Sequence, residues 1–156
     1  MKKLFALVMV ISLLLVGCSG ETKQTIGEIQ ENLNIDPQTA GDDEIKQIIE
    51  GLVTNFDVTT INEIKVNENM GLADGSCIVL PHLKWDRKNG ADQTKSMLEM
   101  YSDRLARDLA EYNISDLTIF WEVPYHLEGD NIAKFNYTRI GEGLAINDIW
   151  FAPLLN

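Results

Sequence analysis

The sequence predicts an α+β domain: a two-layer sandwich with a long helix packed on a twisted, mainly antiparallel sheet of about five strands. Three observations lead there. Leu98, Tyr101, Leu105, Leu109 and Tyr112 recur at three- and four-residue spacing through 92–112, and Met97 and Ala106 widen the stripe, as on a helix with one apolar face. Leu117, Ile119, Trp121 and Val123 alternate with Thr118, Phe120 and Glu122, and Ala133, Phe135 and Tyr137 with Lys134, Asn136 and Thr138. That is the period of strands that bury one face. The links Glu128-Gly129-Asp130 and Gly141-Glu142-Gly143 suit hairpins and are too short for crossovers.

The remaining elements follow in chain order. Ile26, Ile29 and Leu33 could mark a short helix in an otherwise polar, turn-rich stretch from Ser19 to Gly41. Asp42-Asp43-Glu44 precede Ile45, Ile48, Ile49 and Leu52, which share one helical face, and the carboxylates suit the positive N-terminal turn. Capping explains these three acids without a metal, since no calcium-loop spacing surrounds them. Residues 58–66 are rich in β-branched side chains and read as a first strand, and 77–85 as a second. Pro81 lacks a ladder donor, so the second strand is expected at an edge or bulged near its middle. Asp103 with Arg107, and Arg107 with Glu111, stand four apart on the wet side of the long helix and are expected to pair. Strands over 116–123, 131–140 and 144–151 complete the set. This element order loosely resembles curved-sheet folds of the NTF2-like or cystatin-like kind, which implies a fold and no residue role.

The N-terminus carries a different signal. Lys2 and Lys3 begin it, residues 4–15 are almost wholly apolar, and Leu15-Val16-Gly17-Cys18 closes the run, followed by Ser19-Gly20. About twelve residues span roughly 18 Å as a helix, short of the roughly 30 Å hydrocarbon core, so a removable signal fits better than a transmembrane anchor. The closing tetrapeptide resembles a lipobox, the motif of the bacterial lipoprotein class. The resemblance implies cleavage before Cys18, a diacylglyceryl thioether on that residue, N-acylation as well, and attachment to the outer face of the cell membrane. An ordinary secretory signal that leaves Cys18 a free thiol is the alternative.

The expected organisation is therefore a signal peptide over 1–17, a lipidated N-terminus and tether over 18–41, and a single domain over 42–156. Loss of Lys2 and Lys3 from thirteen basic residues leaves 11 against 24 acidic ones and moves the net charge from −11 to −13. Such a surface repels phosphate backbones, which excludes nucleic acid as a partner and leaves the acyl chains as the bilayer contact. With Cys18 acylated, Cys77 has no partner in the chain; within Cys77-Ile78-Val79-Leu80 it reads as a buried, inert thiol.

Motifs for chemistry are missing. His82 and His126 are the only histidines, neither in a nucleophile or zinc context, and Cys77 and His82 point to opposite faces of a regular strand. No cofactor and no metal are expected. Glu122, between Trp121 and Val123 and beside Phe120, is the carboxylate to inspect for a position against apolar surface and a raised pKa, although an exposed strand glutamate is the simpler explanation. Tyr125, Trp150 and Trp85 are candidate ligand contacts, because aromatic side chains on a curved sheet bind peptides, sugars or apolar ligands with little entropic loss. The sequence thus suggests a non-catalytic module that binds an envelope protein or small ligand. An accessory subunit of an envelope transport, secretion or conjugation machine is the alternative, and an enzyme acting on cell-wall material ranks third.

Overall fold

The computed structural model describes residues 25–33 and 35–155. The leader, the tetrapeptide ending at Cys18 and the residues up to 24 lie outside them. Three helices, α1 (Ile26–Leu33), α2 (Asp42–Val53) and α3 (Ala91–Asp108), join five strands: β1 (Thr59–Glu68), β2 (Cys77–Trp85), β3 (Ile114–Val123), β4 (Leu127–Ile140) and β5 (Gly143–Phe151). The strands form one mixed sheet in the order β1-β2-β3-β4-β5, so the domain is α+β.

Both N-terminal helices are capped by their own first turns. Thr25 Oγ1 accepts from the Glu28 N–H and Glu28 Oε2 from the Thr25 N–H, a reciprocal capping box. At α2 the Glu44 carboxylate accepts the Gly41 N–H at 2.8 Å, while Asp42 and Asp43 fill the first turn. Of the stretch expected as tether, Ile26–Leu33 form α1, and Ile29 and Ile35 are buried in the core. The folded part therefore starts ahead of residue 42. Ile29 packs directly over Gly51 of α2, where an added methyl would come within 2.9 Å of Ile29 Cδ1. Helix propensity alone favours Gly51→Ala by about 1 kcal/mol. Crowding costs about 1–3 kcal/mol, so G51A is expected to lower stability by about 1 kcal/mol in urea unfolding. In an Ile29→Val background the same change is expected to become neutral or stabilising.

The hairpins β1–β2, β3–β4 and β4–β5 are antiparallel, but β2 and β3 run parallel. The cause is α3: its 18 residues rise about 27 Å and return the chain to the end of the sheet where β2 began. Pro81 accordingly lies in an interior strand, contrary to the edge position its chemistry suggests. It pairs with Ile64 of β1, while the ladder to β3 skips Leu80 and Pro81 between the Val79–Leu117 and His82–Phe120 rungs. The missing N–H falls in that gap, and β1 carries a bulge at Asn62 close by.

One face of the three central strands is buried. Val79, Leu83, Leu117, Ile119, Trp121 and Phe135 form a single cluster with Leu98, Tyr101 and Leu105 of α3 and Ile45, Ile48 and Leu52 of α2. Two polar side chains of the α3 stripe are buried among them and satisfied from distant elements. Ser102 Oγ accepts the Trp121 indole N–H at 2.8 Å, and Thr94 Oγ1 bonds His126 Nε2 at 3.0 Å. On the other flank, Asp103 accepts the Tyr137 hydroxyl proton at 2.7 Å, and Arg107 reaches Asp108 instead of the expected Asp103. A bond to a partly buried phenol outcompetes a solvated i,i+4 ion pair worth only tenths of a kcal/mol.

Candidate functional site

The opposite face of the sheet is built by the other half of the strand alternation. In β2, Ile78, Leu80, His82 and Lys84 are half-buried while their neighbours are buried. Phe120 and Glu122 of β3 and Lys134 of β4 stand on the same side. Strand register converts these local alternations into one line across the whole sheet. Glu63 of β1 pairs with His82, His82 with Phe120, Phe120 with Lys134, and Lys134 with Trp150 of β5. The His82 and Phe120 rings stack with centroids 4.5 Å apart and planes 10° apart. Lys134 Nζ is held 3.2 Å from Asp148 Oδ2, and Trp150 is exposed beside it.

Burial, followed by the Lys65 charge, holds the His82 imidazole below its ordinary pKa of 6.5, with Glu63 acting in the other sense. The row therefore contains a neutral imidazole at neutral pH. Because folding depresses this pKa, its contribution to stability is present above about 6.5 and is lost as pH falls through the folded value.

Next to the row is a shallow groove of about 430 Å³, lined by Asn62, Glu63, His82, Glu122, Asp130 and Asn131, with Gly129 at its rim. Both Glu122 oxygens are engaged. Oε2 accepts from Asn62 Nδ2 at 3.0 Å and Oε1 from the Gly129 N–H at 3.1 Å, so this side chain joins β1, β3 and the β4 hairpin across the groove. The bonds the structure shows for Glu122 are therefore structural, fixing the three strands against one another.

The four candidate ligand contacts separate. Glu122 and Trp150 share the open face, one at the groove and one at the end of the row. Trp85 points into the core, where its indole N–H donates to the Asp57 carbonyl at 3.0 Å and its ring meets Tyr101 edge-on, so it contacts no ligand at the surface. Tyr125 is exposed in the turn after β3, edge-on to His126. Phe120, one of the aromatic residues the sequence groups around Trp121, belongs to the row, as do Lys134 and Glu63, to which nothing in the sequence points as ligand contacts. Alternation signals their face, whereas their neighbours depend on register between strands far apart in the chain.

A larger cleft of about 800 Å³ lies where α3 turns into β3, lined in part by Asp74, Asp108, Glu142 and Arg139. Arg139 donates there to four backbone carbonyls, those of Ile114, Ala110, Glu142 and Tyr112, and so ties the cleft's walls together. Among the described residues no group of His, Cys, Asp and Glu could hold a metal ion, and no helix is long and apolar enough to cross a membrane. Cys77 is a free, buried thiol, pushed up to about 11 first by burial and then by the Asp42 charge. Its raised pKa favours the folded state below the ordinary thiol value of 9.0, and that benefit is lost between about 9 and 11. Alkylation mapped by mass spectrometry is expected to leave Cys77 unmodified at pH 8 in the native protein and to modify it fully in urea.

Comparison with protein family models, with curated proteins and with solved structures finds no match to this chain.

Proposed function

We propose that this protein is a membrane-anchored, extracytoplasmic lipoprotein whose domain is a non-catalytic binding module. In this reading the domain is a two-layer sandwich that keeps one layer for stability and offers the bare sheet face to a ligand or envelope partner. The observation that carries the binding role is the five-strand row Glu63–His82–Phe120–Lys134–Trp150. It sets a stacked aromatic pair and an exposed indole among charges of both signs, on strands that need no rearrangement. Such a strip suits a ligand with a planar apolar face and polar edges, such as a sugar ring or an extended peptide. The reading as an anchored protein rests on Lys2, Lys3, the apolar run and Cys18.

Two measurements test the two halves separately. Cys18→Ser is expected to move the protein from the detergent phase to the aqueous phase; unchanged partitioning overturns the anchor. Amide shift mapping with soluble oligosaccharides and with short peptides as probes is expected to perturb His82, Phe120 and Trp150 with at least one probe class. Binding is expected to weaken on the order of tenfold in Phe120→Ala. Perturbation confined to other surfaces, or none with either class, overturns the binding role.

A further inference from the structure

The two edges of the sheet are managed differently. β1 exposes Glu63 and Lys65, carries a bulge at Asn62 and packs against α2, all devices that discourage a neighbouring strand. β5 is the other edge, and over its nine residues its only charge is Asp148, already neutralised by Lys134 of the same chain. Its apolar side chains remain unusually open for a sheet: Ile146 is 47% exposed, Ile149 40% and Trp150 44%.

The pattern along that edge is its own complement. Leu144 pairs with Arg139, Ile146 with Tyr137, Ile149 with Phe135 and Phe151 with Ala133, so all four β5 side chains lie on the side of the sheet whose core contains Tyr137 and Phe135. Ile146 and Ile149 share a side because the bulge at Asn147 inserts one residue between them. The segment Leu144-Ala145-Ile146-Asn147-Asp148-Ile149-Trp150-Phe151 is symmetric about the bond between Asn147 and Asp148. Laid antiparallel on a copy of itself about that point, Leu144 meets Phe151, Ile146 meets Ile149, and Asn147 meets Asp148. On the open face the small Ala145 meets the large Trp150. The extra residue of one bulge is matched by that of the other, four residues against four, so the inward-outward alternation stays in phase across the seam.

We infer that β5 is a homodimerisation edge, at which a second copy of this chain adds its own β5 antiparallel about a two-fold axis between Asn147 and Asp148. The contact is isologous and closes on itself, so it yields a dimer and not a filament. It buries the half-exposed isoleucines at a point where the chain, otherwise strongly acidic, brings no uncompensated charge to the seam. It also joins two open faces into one ten-stranded surface, with Trp150 of each row beside Ala145 of the other copy. A single strand edge is a small contact, so the dimer is reversible, with a dissociation constant on the order of micromolar.

The register can be read by cross-linking the full-length chain in cell membranes. Two differently tagged copies are co-expressed, one carrying Ala145→Cys and the other Trp150→Cys, and the membranes are oxidised. A mixed disulfide-linked dimer is expected. Neither variant should link to itself, because each position lies five residues, about 17 Å, from its own equivalent across the axis. Adding Ile149→Lys to both copies is expected to lower the yield about tenfold or more, while far-ultraviolet dichroism and the buried state of Trp121 stay unchanged. Absence of the mixed dimer, self-linking of A145C, or a yield indifferent to I149K overturns the inference. Linking of A145C to a different protein also overturns it, and assigns the edge to a foreign strand.

Discussion

Replacing Arg139 with Met is expected to lower the unfolding free energy by about 3 kcal/mol, and Arg139→Lys to recover less than half of that loss. Arg139 Nε donates to the Ile114 carbonyl at 2.9 Å, Nη1 to the carbonyls of Ala110 and Glu142, and Nη2 to that of Tyr112. Ala110 and Tyr112 lie in the turn that takes the chain from the end of α3 into β3, Ile114 is the first residue of β3, and Glu142 lies in the β4–β5 turn. A guanidinium is suited to the place for two reasons. Its flat fork reaches several carbonyls at once, and its charge opposes the negative end of the α3 dipole. Each charged hydrogen bond is worth about 1.5–3 kcal/mol when fully desolvated. The corner is half open, so freed carbonyls would turn partly to water, and the sum is well below four such bonds. Methionine keeps most of the aliphatic stem and removes the donors, while lysine has three donors at one point and cannot span both turns. Urea unfolding followed by tryptophan fluorescence measures the loss. A change below about 1 kcal/mol would show that the carbonyls are satisfied without Arg139.

The second large effect is expected at Trp121, which is fully buried near the C-terminal end of β3, its ring centroid 6.2 Å from that of Tyr101. Trp121→Ala removes one of the two largest side chains of the core and should cost about 3–5 kcal/mol. Trp121→Phe separates packing from polarity. It keeps most of the ring and deletes the indole N–H, which strands the hydroxyl of Ser102, itself fully buried. A cost of about 1–3 kcal/mol is expected for that orphaned group. The double variant W121F/S102A should then be less destabilised than the two single changes added together, by about 1 kcal/mol. Additive costs would mean that the bond from Trp121 to Ser102 contributes nothing beyond packing.

Much of the fold is legible because it depends on chain-local periods. The stripe from Leu98 to Leu109 marks α3, and the alternations around Trp121 and Phe135 mark β3 and β4, within a few residues of their ends. The capping box of α1 was equally readable at Thr25-x-x-Glu28, although the polar composition around it suggested a tether. Other features were not readable. Pro81 argued for an edge strand or an irregularity near the middle of its strand, and only the tertiary structure decides between them: the strand is interior, with a gap in the β3 ladder at Pro81. Trp85 and Trp150 are chemically alike as candidates, and only burial separates the core residue from the surface one.

By itself the sequence determined most element types, the two faces of β3 and β4 and the net acidic charge, because each depends on composition or on neighbours within a few positions. The tertiary structure alone decided which strands touch. It made β2 and β3 parallel, set His82 on Phe120, gave Ser102 and Thr94 their partners, and left β5 at an open edge. The reason is physical. Periodicity specifies that a face must be buried, whereas register and partner choice come from packing and loop closure between segments many residues apart.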